Sequence, residues 1–366
     1  MTSPSEHFSA DYAEAREKFL DAATAGDARL ESHLNDNAKA PNGSALYTDV
    51  AIIGSSDATA TLIVQSGTHG VEGFCGSGAQ VGFLRTLKER ELPAAVKIVL
   101  IHAINPYGFA WLRRVNEDNV DLNRNFVDHD MPYPANPDYD ELAEVIAPKD
   151  ISTDALRKAN AGLRAYSEEH GPMALQGAIS KGQYTHNDGV YYGGVFETWS
   201  NRTFRKIISE TCEEAKSVAM IDFHTGLGPY GYGELIIEVG PEDPAHARAH
   251  AWWGDSVKST VSGESVSAHL SGTVDGAIPE MAPHADATAG AIEFGTKPSN
   301  EVFRALRKDN WLHAHGDPAG PEAAAIKAEI RAAFYPDADD WNEMIWNRGR
   351  EVIDQALSGL TLGAGG

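Results

Sequence analysis

Six short runs of aliphatic residues constrain what this 366-residue chain can fold into: ALYTDVAII (45–53), TLIVQ (61–65), KIVLIHAI (97–104), SVAMIDF (217–223), ELIIEV (234–239) and AIEF (291–294). Several are nearly continuous in Val, Ile and Leu. Strands that hide both faces from water belong to largely parallel sheets covered by helices. Helical patterns fall between the runs. GAQVGFLRTLKEREL (78–92) places apolar residues at 81, 83, 84 and 87 before Pro93 stops it, and TWSNRTFRKIISETCEEAK (198–216) repeats the pattern ahead of the fourth run. The alternation predicts an α/β fold, a three-layer sandwich whose mixed, largely parallel twisted sheet carries helices on both faces.

The remaining segments complete a single expected domain over residues 1–366. The N-terminal segment 1–40 reads as amphipathic and helical, and residues 321–360 as two helices parted by a turn at Pro336. Residues 127–197 are the least regular. They hold one expected helix (152–168) and the aromatic, Gly-rich GQYTHNDGVYYGGV, and are predicted to be an excursion that walls a pocket. The terminal LGAGG is expected to fray. No internal repeat or flexible linker interrupts the chain.

Charge narrows the partners. With 30 Lys and Arg against 53 Asp and Glu, the formal charge is −23, which repels phosphate backbones and anionic lipid. Neither nucleic acid nor a membrane is therefore an expected partner. No run approaches the ~18 apolar residues of a spanning helix, and the N-terminus lacks the apolar block of a signal peptide. The two cysteines, Cys75 and Cys212, are too few for a disulfide framework, so a cytoplasmic location is expected.

Polar motifs stand where the aliphatic runs end: His69 after the run to 65, Asn105 after 104, His224 after 223 and Glu293 within the last. In open α/β sheets ligands bind beyond the carboxyl ends of the strands, so four such motifs converge on one rim if their strands are parallel. His69 and Glu72 of HGVE, with His224, supply the imidazole and carboxylate groups of a three-ligand catalytic zinc site, and Glu293 is a spare carboxylate. A buried pair of hydrogen-bonded histidines is the plainer alternative. Zinc lowers the pKa of a bound water to about 7, a neighbouring carboxylate takes its proton, and a nearby cation steadies charge on the carbonyl oxygen.

The ordered set HGVE (69–72), VDLNRNF (120–126), DFH (222–224) and EFG (293–295) resembles the zinc metallocarboxypeptidases of the carboxypeptidase A-like superfamily, and within it a bacterial branch known as a domain of unknown function. The resemblance spans roughly residues 45–296, with INPYGFAWLRRVNEDNVDLNRNF its most specific segment. It implies one Zn2+ per chain held by His69, Glu72 and His224, with Asp121 orienting the first histidine. It further implies Asn123 and Arg124 as the pair that holds a substrate carboxylate, Arg114 (or its neighbour Arg113) as the oxyanion group, and Glu293 as general base. The implied activity is hydrolysis of an amide bond beside a free carboxylate, on a peptide substrate. A deacylase of N-acyl amino acids, of the succinylglutamate desuccinylase or aspartoacylase type, is the alternative within hydrolases. A zinc-holding binding protein without turnover is the alternative outside them.

The chain departs from the superfamily: no tyrosine lies between 241 and 292, ahead of the base, so Tyr191, Tyr192, Tyr230 or Tyr232 are the substitutes for the usual mobile one, and no specificity-pocket residue stands out, which leaves side-chain preference open. Other polar groups read more plainly. His246 and His250 are one helical turn apart without the glutamate of H-E-x-x-H, which suits an exposed helix face. His102 suits a core histidine and Cys75 a small buried residue. His186 fits a loop contact or the pocket wall equally. GLGPYGYG lacks the lysine of a phosphate loop, so its glycines are expected to give backbone freedom beside the metal.

Overall fold

The computed structural model describes residues 3–363. Its strands are β1 (Arg29–Lys39), β2 (Ala45–Ile53), β3 (Ala60–Ser66), β4 (Val96–His102), β5 (Ser217–Tyr230), β6 (Glu234–Ile237), β7 (Val257–Ser259) and β8 (Asp286–Gly295). They form one eight-stranded sheet in the order β1-β2-β4-β3-β5-β8-β6-β7. The four strands that carry the polar motifs, β4, β3, β5 and β8, are adjacent and parallel. Antiparallel steps fall only outside that centre, at β1–β2, β2–β4 and β6–β8. The four motifs therefore do share one rim.

Alternation along these strands builds two cores. Leu62, Val64, Ile98, Leu100, Ala219 and Ile221 pack with Phe19, Phe74, Phe83 and Trp341, from helices Tyr12–Ala25, Gly73–Arg85 and Asp339–Gly363. Ile63, Val99, Ile101, Val218 and Met220 point the other way and pack with Phe204, Ile207 and Ile208 of helix Trp199–Cys212. All seven residues of β3 are buried. Each aliphatic or aromatic side chain enclosed this way contributes roughly 1.5–3 kcal/mol. The three-layer α/β expectation holds.

Two expectations need correction. Residues 29–39 of the expected N-terminal helical segment are the edge strand β1; only Tyr12–Ala25 is a full α-helix there. Its sequence RLESHLNDNAK is mostly polar and carries charge, as edge strands do to discourage pairing with another chain, and that masked its period of two. The excursion 127–197 holds three helices rather than one: Pro137–Ile146, Thr153–His170 and Pro172–Ser180. The first and last begin with proline, which suits the first helical turn. Asn136 caps the first by accepting the Tyr139 N–H (3.2 Å). Of the Gly-rich end, residues 364–366 lie outside the described residues.

Candidate metal centre and active site

His69 leaves β3 and runs into a single 3-10 turn, Gly70–Glu72, before helix Gly73–Arg85 begins. That turn is pinned from outside. Gly70 N–H donates to Arg114 O (3.2 Å) and Val71 N–H to Arg113 O (2.8 Å). Contact is so close that a Cβ on residue 70 would lie 2.0 Å from the Gly108 carbonyl carbon, so the position demands glycine. Asn105, at the end of the β4 run, accepts the Gly108 N–H (2.8 Å) and donates to Arg114 O (3.3 Å). Its role is to fix the arginine segment against the turn.

The turn brings His69 and Glu72 to His224 on β5. One donor atom from each of the three buried residues lies within 4.8 Å of the others, and the two imidazole centroids are 4.9 Å apart. Each ring has a buried carboxylate on one nitrogen. Asp121 Oδ1 is 3.4 Å from His69 Nδ1, and Asp222 Oδ2 is 2.8 Å from His224 Nε2. Asp222 also accepts the Thr68 hydroxyl (2.6 Å). Its role was missed in the sequence, although Asp-x-His on a strand puts both side chains on one face and is a legible signal. Glu72 Oε2 accepts the Thr225 N–H (2.9 Å).

Arg114 reaches this group directly. It donates to His69 Nε2 (2.7 Å), to Glu72 Oε1 (3.1 Å) and, through Nε, to Asp121 Oδ2 (2.9 Å). Its guanidinium thus places positive charge between an imidazole and a carboxylate that the sequence reading gives to zinc. Arg113, the alternative, turns away to Asp309 (3.2 Å) and Asn119 (2.9 Å).

Glu293 sits beside His224 in the β5–β8 register and accepts the Leu227 N–H (2.8 Å). Leu227 is presented by Gly226, whose φ of 129° only glycine adopts readily; Gly228, Gly231 and Gly233 of the same GLGPYGYG stretch also have positive φ. Burial first, then the nearby Glu72 carboxylate, pushes the Glu293 carboxyl up to about 8. His224 is opposed in its cationic form by burial, but Asp222 and Glu72 outweigh that and raise its proton affinity. His69 goes the other way, lowered by burial and by Arg114. Asp121 is disfavoured as an anion by burial, yet Arg114, His69 and Arg124 hold it well below the usual carboxylate range.

Protein charges alone leave the region short of cations. Glu72, Asp121, Asp222, Asp275 and Glu293 are five acids in or near the site, against the guanidinium groups of Arg114 and Arg124, and protons favoured on His224, Glu293 and Asp275 make up the balance. A buried charge without compensation shifts its pKa rather than remain ionised, as Glu293 does. The buried donor set of two imidazoles and a carboxylate and this excess of acids over fixed cations both fit a divalent cation.

The site opens into a cleft of about 590 Å³ lined by His69, Arg114, Asn123, Arg124, His224 and Glu293. Asn123 Oδ1 accepts the Val274 N–H (2.9 Å), leaving its Nδ2 as a donor for a ligand. Arg124 donates to the Asn123 and Ser180 carbonyls (2.6 Å each), and its buried Nε has no partner. Leu175, Gln176 and Ile179 of the excursion form one wall. Tyr191, of the four candidate tyrosines, is the one in the cleft. Its ring lies 5.2 Å from the Arg114 guanidinium carbon and 5.8 Å from that of Arg124, and its φ is 55°, a left-handed conformation costing about 1–3 kcal/mol. Tyr230 and Tyr232 are exposed, and Tyr192 lends its carbonyl to the Asp121 N–H (2.7 Å). His102 is a core residue stacked on Phe19 and bonded to Ser77; His186 contacts Asp140.

Fold and site together define an α/β protein with a buried His-Glu-His group suited to a metal ion. The chain belongs to the family described as protein of unknown function (DUF2817), which matches residues 8–348. Among curated proteins none matches it. Among solved structures it is similar to carboxypeptidase A from Helicoverpa armigera, at 16% identity over 88% of this chain and 73% of that one, TM-score 0.47. It is similar to bovine thrombin-activatable fibrinolysis inhibitor, solved with tick carboxypeptidase inhibitor, at 11% over 89% and 96%, TM-score 0.45. It is also similar to succinylglutamate desuccinylase from Chromobacterium violaceum, at 12% over 83% and 74%, TM-score 0.37. Among the described residues, no helix is long and apolar enough to cross a membrane.

Proposed function

We propose that this chain is a zinc-dependent hydrolase that cleaves an amide bond beside a free carboxylate, on a peptide substrate. The observation that carries the reading is the shared rim: His69 and His224, grouped with the buried Glu72, line one cleft together with the Glu293 carboxylate and the Arg114 and Arg124 guanidinium groups. His69, Glu72 and His224 would hold the ion, with Asp121 and Asp222 fixing the two rings. When bound, zinc supplies Lewis acidity and a water ionisable near neutrality.

The chain's own residues supply the rest. Glu293, fixed by the Leu227 N–H, takes the proton of the attacking water and delivers it to the leaving amine. Arg114 steadies negative charge on the carbonyl oxygen, a contact worth roughly 3–4 kcal/mol by comparison with oxyanion donors. Asn123 Nδ2 and the remaining Arg124 donors anchor the terminal carboxylate, for which a planar guanidinium is well shaped. Tyr191, held between the arginines, adds a phenol to the wall.

The test is a panel of N-acyl dipeptides and N-acyl amino acids, assayed with zinc, after chelation, and after zinc is restored. Chelator-sensitive release of the C-terminal residue from the dipeptides is the expected result. Turnover confined to N-acyl amino acids would move the assignment to a deacylase. No turnover on either set, with zinc bound, would leave a binding protein.

A further inference from the structure

The cleft does not end at Glu293. Ile236 on β6 pairs with Ala291 on β8, which in turn pairs with Asp222 on β5, so these three lie side by side on the face that carries the site. β6 runs opposite to β8, and Glu234 is level with Glu293. Glu238 therefore lies on the inward side, four residues or about 13 Å back along the sheet at strand spacing. Ile236, Ala291, Glu238 and Asp275 all line the cleft. Ala291, with a single methyl, lies between the rim and the two acids on the wall of this one cleft.

Both acids lack a fixed cation. Glu238 Oε2 accepts the Thr260 hydroxyl (2.6 Å) and faces His269 Nδ1 (3.0 Å), a half-exposed ring. Asp275 is 6% exposed, and the neighbouring Thr273 hydroxyl accepts the Gly276 N–H (3.2 Å). The Thr273 hydroxyl is the polar neighbour of the Asp275 carboxylate, and among the described residues no lysine or arginine forms an ion pair with either acid. Arg248, which lines a neighbouring cavity with Glu238, donates to the Thr288 hydroxyl and the Ala287 carbonyl. Burial first, then Glu238 and Asp222, pushes the Asp275 carboxyl up to about 7. An acid enclosed this way is neutralised by a proton when the cavity is empty and by a cationic group that enters it.

We propose that Asp275 and Glu238 select a substrate whose C-terminal residue carries a long cationic side chain, lysine or arginine. The cleft is bipolar: Asn123 and Arg124 hold the anionic end of the substrate near the rim, and the two acids hold the cationic head at the inner end. An apolar side chain of equal length leaves the buried acids unpaired, and specificity arises from that difference.

The inference rests on the hydrolase reading, so its test has two arms. In the first, kcat/KM of the zinc-loaded protein is compared on N-acyl dipeptides ending in arginine, lysine, phenylalanine or glutamate. Arginine and lysine are expected to exceed phenylalanine by about 100-fold, the scale of pairing a buried charge. The arginine-to-phenylalanine ratio is expected to fall at least tenfold in Asp275→Asn. Preference for phenylalanine or glutamate, or a ratio unmoved by the substitution, overturns the proposal. The second arm needs no turnover: calorimetric titration of the whole protein with free arginine and with norleucine. Arginine bound at least tenfold tighter, with the advantage lost in Asp275→Asn, supports the proposal even if no peptide is cleaved; equal affinities overturn it. Glu238→Gln carries both arms if Asp275→Asn does not fold.

Discussion

Replacing Gly70 by alanine isolates the part of the site that steric fit alone dictates. Gly70 is not among the glycines with left-handed φ, so alanine meets no backbone strain there. Restricting the unfolded chain even favours the variant by about 0.4–1 kcal/mol. The added methyl, however, would lie 2.0 Å from the Gly108 carbonyl carbon and 2.2 Å from Phe109 N, both backbone atoms that have no rotamer to change. Restoring a carbon–carbon contact near 3.5 Å requires the turn to retreat by roughly 1.5 Å. That movement breaks the Gly70–Arg114 and Val71–Arg113 hydrogen bonds, about 1 kcal/mol each, and displaces buried packing around Val71. Net destabilisation of about 2–4 kcal/mol is expected, in the range of an overpacked core position. Because His69 and Glu72 flank the turn, zinc affinity should also fall by roughly 10–100-fold, as when the support of a metal ligand is removed. Urea unfolding of the metal-free variant and a competitive zinc titration measure the two effects. An alanine variant with wild-type zinc affinity would refute the claim that this turn positions the ligands.

Three further substitutions probe separate roles. Glu293→Gln should keep zinc stoichiometry and lose about 10²–10⁴-fold in kcat; full activity would remove Glu293 from the mechanism. Arg124→Ala should chiefly raise KM for substrates bearing a free carboxylate, and an equal loss on their amidated counterparts would deny it the anchoring role. Asp309→Asn should change the acid limb of stability. Burial opposes ionisation of Asp309, but Lys327, Arg113 and His313 outweigh it and hold its carboxyl below the usual range. The folded value then lies below the unfolded one, near 3.9. The stabilisation is present above that unfolded value and is lost as pH falls through the folded one. The variant, with Arg113 and Lys327 left facing a neutral amide, should be about 3–5 kcal/mol less stable at pH 7. Its deficit should shrink below about pH 4, and a deficit constant from pH 3 to 7 in denaturant titrations would contradict this.

Much of the fold was legible because the central strands are buried on both faces, so β3 and β4 appear in the sequence as unbroken aliphatic runs. Edge and short elements lack that signature. β1 carries polar residues on both sides and β7 is three residues long, so neither gives a period to read. The excursion helices were obscured for a related reason. They pack mainly on one another, around Tyr139, Leu142, Leu163 and Tyr166, rather than on the sheet. Only Thr153–His170, at 18 residues, is long enough to show its period plainly; Pro137–Ile146 and Pro172–Ser180 span ten and nine residues.

The site divides along the same line. His69, Glu72, His224 and Glu293 were visible because chain order places each at the end of a parallel strand, and a parallel sheet converts order into proximity. Asp275 and Glu238 were not visible. Glu238 owes its place to β6 running antiparallel beside β8, which carries it inward rather than to the rim, and nothing in ELIIEV reveals strand direction; Asp275 lies on a 3-10 turn, Asp275–Ala277, that no strand run announces. The sequence reading also left open which of Arg113 and Arg114 serves the site, since adjacent residues differ only in which way they point. Their side chains point apart: both backbone carbonyls accept from the HGVE turn, while Arg113 faces Asp309 and Arg114 faces Glu72. The same two hydrogen bonds thus hold the HGVE turn in place and direct the arginine that faces it, so damage to either strand of that contact should impair ligand geometry and the Arg114 position together.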